Sequence, residues 1–254
     1  MTLIRCRRFM WTAIAGLALA SGCTHTSRPS GPSLTAANEK VTPLKPAQVT
    51  DMQFAMAQMM EKRGELSQAA ATYEEALKKD PKRADAWMHL AVINDKQGKF
   101  AESNEQYRQV QLLAPNSVEL YCNLGYSYYL QERWSEAEHC LRYAVSMQPD
   151  HKRAWNNLGL VMARSGNAQD AMIAFGNAGC RASDSHINLG YCMTLNGAFP
   201  DARREYETAL ALDSKSDAAR CGLDNLTRVA AKMNGGATPT SGNPIHLTSA
   251  TAEK

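Results

Sequence analysis

The chain has 254 residues, 44% apolar and 21% charged, an ordinary globular balance with enough length to bury a core. Its net charge of +3 is a property of the leader, where Arg5, Arg7 and Arg8 precede any acid. Without residues 1–22 the basic and acidic residues are equal in number, which removes the charge argument for a nucleic-acid partner, since that would want a clustered basic face.

Behind those arginines an uncharged run extends from Phe9 to Gly22. It is too short to span a bilayer comfortably and has the layout of a secretory signal. Paired Arg7 and Arg8 also fit a twin-arginine signal, although paired arginines are common in any basic leader. The junction Leu19-Ala20-Ser21-Gly22-Cys23 resembles a bacterial lipobox, with Ala20 where that family most often has Leu. The resemblance implies lipidation of Cys23, which would become the new N-terminus; the alternative is ordinary cleavage with a free thiol. Residues 23–50 are rich in Ser, Thr, Pro and Ala and show no apolar period, so a disordered tether is expected there.

From residue 51 one pattern recurs. Trp87-x-x-Leu90-Ala91, Tyr121-x-x-Leu124-Gly125, Trp155-x-x-Leu158-Gly159 and His186-x-x-Leu189-Gly190 follow one another at spacings of 34, 34 and 31 residues. Each copy continues with a small residue, then an aromatic or Leu, then Ala or Val, as in Ala171, Phe175 and Ala178. A weaker first copy runs through Met56, Ala57, Gly64, Ala69, Tyr73 and Ala76 to Pro81. Trp155, Leu158 and Met162 share one face of a first helix, and Ala171, Phe175 and Ala178 one face of a second. Two such faces close only if something small lies at the crossing, the part assigned to Gly159 and Ala171. Gly166 stands where a chain reversal needs positive φ, and Pro115 and Pro149 end second helices.

The pattern resembles the tetratricopeptide repeat, a helix-turn-helix of 34 residues. The resemblance implies an all-α fold, a right-handed superhelical solenoid of five repeats at 51–83, 84–117, 118–151, 152–182 and 183–216. An amphipathic helix over 217–233, with Leu223, Leu226 and Val229 on one face, is expected to cap the last repeat. A polar tail over 234–254 is expected to be disordered. Three departures stand out: Glu132 replaces the usual turn Gly, Gln53 replaces the first large residue, and repeat four is three residues short. The last departure makes Ala182-Ser183-Asp184 the expected tight passage into repeat five.

Catalytic and metal spacings are missing: there is no His-Glu-x-x-His, Cys-x-x-Cys, Gly-x-Ser-x-Gly or phosphate loop. His139 and Cys140 are neighbours on a helix and point apart. No catalytic residue, metal, cofactor or small-molecule substrate is therefore assigned, and the chain is expected not to be an enzyme. Behind Cys23 stand Cys122, Cys140, Cys180, Cys192 and Cys221. Five is odd, so at least one thiol is unpaired within a monomer; their helical placement favours small buried hydrophobes, with a Cys180 to Cys192 pairing left open.

The family resemblance also implies a concave groove lined by five positions of each first helix. In the middle repeats these are Glu119, Cys122, Tyr126, Tyr129, Leu130, Arg153, Asn156, Leu160, Ala163, Arg164, Asp184, Ile187, Tyr191, Thr194 and Leu195. Such a floor suits an extended or helical protein segment. Its core would be Tyr126, Tyr129, Leu130, Arg153, Asn156, Leu160, Arg164, Ile187, Tyr191 and Leu195; the bland reading is that neighbouring helices cover the tyrosines and leucines. Cys122 and Tyr126 stand where a chaperone-binding carboxylate clamp needs Lys and Asn, so that specialisation is not implied. A lipobox ahead of such repeats looks like the TadD-type lipoproteins of the tight-adherence (Flp) pilus and the pilotins that help a secretin reach the outer membrane. The implied function is a non-enzymatic scaffold that binds envelope assembly proteins; the alternative is an adaptor recruiting peptidoglycan hydrolases. Thr24, where an inner-membrane retention signal has Asp, points to the outer membrane, facing the periplasm.

Overall fold

The computed structural model describes residues 45–234, and the expected leader, the lipidation site Cys23, most of the tether and the tail from 235 lie outside them. Among the described residues every element is helical. The eleven helices are α1 (Pro46–Lys62), α2 (Leu66–Lys79), α3 (Ala84–Lys96), α4 (Phe100–Leu113), α5 (Val118–Leu130), α6 (Trp134–Met147), α7 (Lys152–Arg164), α8 (Ala168–Asn177), α9 (Ala182–Leu195), α10 (Phe199–Leu212) and α11 (Asp217–Asn234). None is long and apolar enough to cross a membrane.

The helices pack as five antiparallel pairs, each also touching the pair that follows, with α11 against both α9 and α10. Each pair is held by one large side chain from its second helix. Tyr73, Tyr107, Leu141, Phe175 and Tyr206 are all buried, and opposite the last three stand Gly125, Gly159 and Gly190. A Cβ on Gly159 would lie 2.5 Å from the Phe175 ring, and one on Gly125 2.5 Å from Leu141 Cγ. The small residues are thus required by the large ones, because a packed interior has no spare volume.

The turns are equally repetitive. The first helix of repeat four ends in Gly166 at φ 86°, and the Asn167 N–H then donates to the Met162 carbonyl at 2.8 Å. This is a Schellman closure, and the same bond forms from Glu65, Lys99, Arg133 and Ala198 to Met60, Asn94, Tyr128 and Met193. Glu132 occupies the left-handed position of repeat three at φ 58°, so the turn keeps its geometry without glycine. In repeats two and four the indole N–H of Trp87 and Trp155 donates to the carbonyl of Pro81 and Pro149, at 2.9 and 2.7 Å. The prolines stop a helix and the tryptophans pin the resulting loop.

Three boundaries differ from expectation. Helix α1 starts at Pro46, inside the stretch assigned to the tether, because proline presets φ at a first helical position and Gln48 Oε1 accepts the Lys45 N–H at 2.9 Å. The tight passage after repeat four is Ala178–Arg181, and Ala182 already opens α9. Helix α8 has only 10 residues where the other second helices have 14; Gly179 at φ 80° ends it, with Cys180 N–H on the Phe175 carbonyl at 3.1 Å. Helix α11 extends to Asn234, one residue beyond the expected cap.

Candidate functional site

Helices α3, α5, α7, α9 and α11 touch in sequence, so the first helices of successive repeats form one continuous surface and the second helices form the other. The middle of the first surface carries the aromatic residues. Tyr126 and Tyr129, one turn apart on α5, stack with ring centroids 5.7 Å apart at 16°. Tyr129 also meets the edge of Trp134 at 5.6 Å. Burial holds the hydroxyls of Tyr126, Tyr129 and Tyr191 above the usual phenol range, so the floor is uncharged at neutral pH and offers apolar faces with polar tips.

Charged residues frame this floor. The Arg164 guanidinium lies 5.1 Å from the Trp134 centroid and donates to Glu132 Oε1 at 3.1 Å and Asn196 Oδ1 at 2.9 Å. It thereby joins the turns of repeats three, four and five. At the opposite edge Arg153 bonds Glu119, whose second oxygen accepts from His151 Nε2 at 3.0 Å. His151 Nδ1 accepts the Ala154 N–H at 3.1 Å, which assigns the ring proton of the neutral form to Nε2.

Of the ten residues expected in the groove, Tyr126, Arg153 and Leu195 are exposed, and Tyr129, Leu130, Asn156, Arg164, Ile187 and Tyr191 are half-buried. Leu160 is a correction. At 2% exposure it belongs to the central core, together with Cys122 and Ala163, because Tyr129 of α5 and Tyr191 of α9 pack against that cluster. Ile187 leans on the cluster of Ala202, Tyr206 and Leu226 and offers the groove only part of its surface.

A second cluster, on repeats one and two, was missed. Gln58, Glu61, Lys62, His89 and Lys96 line a cavity of about 320 Å³. Glu61 Oε2 pairs with His89 Nδ1 at 2.9 Å, and Glu61 Oε1 accepts from Lys96 at 3.4 Å; the bond to His89 holds the Glu61 carboxyl below its ordinary value. His89 in turn stacks on Tyr73 at 5.3 Å. Gln58, Glu61, Lys62 and Lys96 occupy the positions used for the middle repeats, so that rule, applied to all repeats, finds them; His89 lies off those positions and carries no such signal.

Cys122, Cys140, Cys180, Cys192 and Cys221 are free. Burial pushes the Cys140 thiol up to about 11 and the Cys192 thiol up to about 12, the opposite of an activated nucleophile. No group of three His, Cys, Asp or Glu able to hold a metal occurs among these residues.

A family model described as tetratricopeptide repeat matches residues 55–118 and 122–187. No curated protein matches the chain. Among solved structures, PilF of Pseudomonas aeruginosa aligns with a TM-score of 0.55 at 22% identity, over 74% of this chain and 87% of that one. A thermophilic TPR protein of Thermus thermophilus aligns at 0.56 and 19% identity, over 70% and 99%. YrrB, described as a TPR protein with an unusual peptide-binding site, aligns at 0.50 and 18%, over 68% and 90%. At these identities the likeness concerns the fold.

Proposed function

Because the chain belongs to the tetratricopeptide repeat family, whose members bind protein partners, we propose that it is a non-enzymatic scaffold taking a partner segment in its concave groove. The observation that carries this reading is the stacked pair Tyr126 and Tyr129, of which Tyr126 is 38% exposed and Tyr129 half-buried. Rigid aromatic side chains lose little rotamer entropy when a partner covers them and commonly dominate binding. The partner is proposed to be a component of an envelope assembly, a pilus or secretion system. That reading is supported by the Ser21-Gly22-Cys23 junction, from which a lipid would hold the scaffold on the outer membrane facing the periplasm.

A photo-crosslinking residue placed at Tyr126 tests the groove. In envelope preparations it should trap one protein in high yield, identified by mass spectrometry, while the same residue at Ile173 on the outer side of α8 should trap none of it. Equal trapping at Ile173, or none at Tyr126 while the protein still co-purifies, removes the groove as the binding surface. Trapping of a peptidoglycan hydrolase would replace the assembly role with an adaptor role.

A further inference from the structure

The two ends of the stack are finished differently. At the last repeat, Ala219, Gly222 and Leu226 of α11 are buried against α10, where Gly222 lies so close that a Cβ would meet Tyr206 at 2.4 Å. The far side of α11 presents Arg220, Asp224 and Thr227 to solvent, so that end is sealed by a polar surface. At the first repeat nothing among the described residues does this. Met52, Met56 and Met59 of α1 are 60%, 49% and 56% exposed. They stand at the register that in every later repeat packs against the preceding second helix: one repeat on, Ala86, Leu90 and Ile93 are at most 2% exposed, and three repeats on, Ala154, Leu158 and Val161 are equally buried.

The charges around this face are one-sided. The acids of α1 are engaged on the groove side, Asp51 with Arg83 at 2.6 Å and Glu61 with His89 and Lys96. Lys45 at one end of the helix and Arg63 at the other are exposed and form no ion pair among the described residues, Lys62 lines the groove-side cavity, and the half-buried Glu65 beyond the helix is the one acid added at that end. Two copies meeting through this face would bring like charges together, and three half-exposed methionines are small beside the roughly 800 Å² per partner of a stable interface.

We propose that the α1 end is a second docking surface, which takes an amphipathic helix of a protein partner in the seat that a preceding second helix would fill. The helix carries an apolar stripe flanked by acidic residues. Methionine suits the task because its unbranched thioether repacks around partners of different shape, and the seat continues the geometry of an interface that the chain already forms at each later repeat. The surface is separate from the groove, so either can fail without the other.

The test uses the full chain with methyl-labelled methionine and, as probe, a helix-stapled peptide of residues 198–216. This peptide contains α10, the helix that occupies the equivalent seat beneath α11, and carries Asp201, Glu205, Glu207 and Asp213, with Arg203→Gln and Arg204→Gln introduced so that acidic residues flank its apolar stripe. The ε-methyl resonances of Met52, Met56 and Met59 should shift on titration more than those of the remaining methionines. Joint replacement Met52→Gln, Met56→Gln and Met59→Gln should weaken binding at least about tenfold without moving Tm, and the corresponding Leu replacements should restore it. The proposal is overturned if the peptide leaves these methyls unmoved. It is likewise overturned if they shift with protein concentration alone, marking self-association, or only with phosphatidylglycerol vesicles, marking a membrane face.

Discussion

Gly159 has no room for a side chain, and this outweighs what glycine costs inside a helix. Replacement by alanine would ordinarily stabilise α7 by about 0.5–1 kcal/mol. Here the added Cβ meets the Phe175 ring at 2.5 Å, and overpacking of this kind costs about 1–3 kcal/mol. Gly159→Ala should therefore lower the urea midpoint, and pairing it with Phe175→Leu should recover part of the loss. Asp95 poses the reverse problem, a charge with no cation beside it. Its carboxylate is buried and accepts from the Tyr107 hydroxyl and Ser127 Oγ, both at 2.7 Å, yet burial still raises its pKa above 3.8. Since the folded value exceeds the unfolded one, the stability it contributes is complete below pH 3.8 and is lost as pH rises through the folded value. Glu61 acts in the other direction: its folded value lies below 4.5, so its contribution is present above pH 4.5 and is lost on acidification. Asp95→Asn should remove the first slope alone, so its stability relative to the parent should rise as the pH is raised above 3.8 and through the folded value of Asp95, measured by urea unfolding at several pH values.

Each helix pair is an unstable fragment made stable by the next one, and α11 is the last link in that series. Leu226 is buried against α10, so Leu226→Ala should cost about 2–5 kcal/mol. Because a repeat contacts only its neighbours, amide exchange should accelerate in α9, α10 and α11 and remain unchanged in α1 to α4; uniform acceleration would contradict this layout. The turns explain why the elements tolerate sequence change. A single left-handed residue and one Schellman bond end each first helix, and Glu132 satisfies that requirement as glycine does. Repeat four loses part of its second helix and keeps the stack continuous because Gly179 repeats the same device at the shortened end.

Within the whole molecule, the groove tyrosines divide into two kinds. Tyr126 is exposed, whereas Tyr129 is held between Tyr126 and Trp134 and is half-buried. Tyr126→Ala should cost about 1–2 kcal/mol of partner affinity and leave Tm nearly unchanged, while Tyr129→Ala should destabilise the fold by about 2 kcal/mol or more. Calorimetric melting beside a binding titration separates them. For the proposed anchor, acyl chains contribute about 0.8 kcal/mol per buried methylene, so Cys23→Ser should move the protein from the membrane to the soluble fraction. A Cys23→Ser chain that still sediments with membranes would place the anchor elsewhere.

The amino-acid sequence by itself determined the helix pairs, their period and the small residues at each crossing, because these follow from local periodicity and from side-chain volume. The left-handed turn at Gly166 was legible for the same reason. Tertiary structure alone decided which members of a helix face remain open. Leu160 and Tyr126 occupy the same position in successive repeats, on helices that both have neighbours on either side, yet the first is buried in the core against which Tyr129 and Tyr191 pack and the second stays 38% exposed. The pairing of Glu61 with His89 and the bare methionines of α1 likewise depend on what lies one repeat away. Burial in a stack is a property of adjacent repeats, and the pattern within one repeat cannot encode whether its neighbour is present.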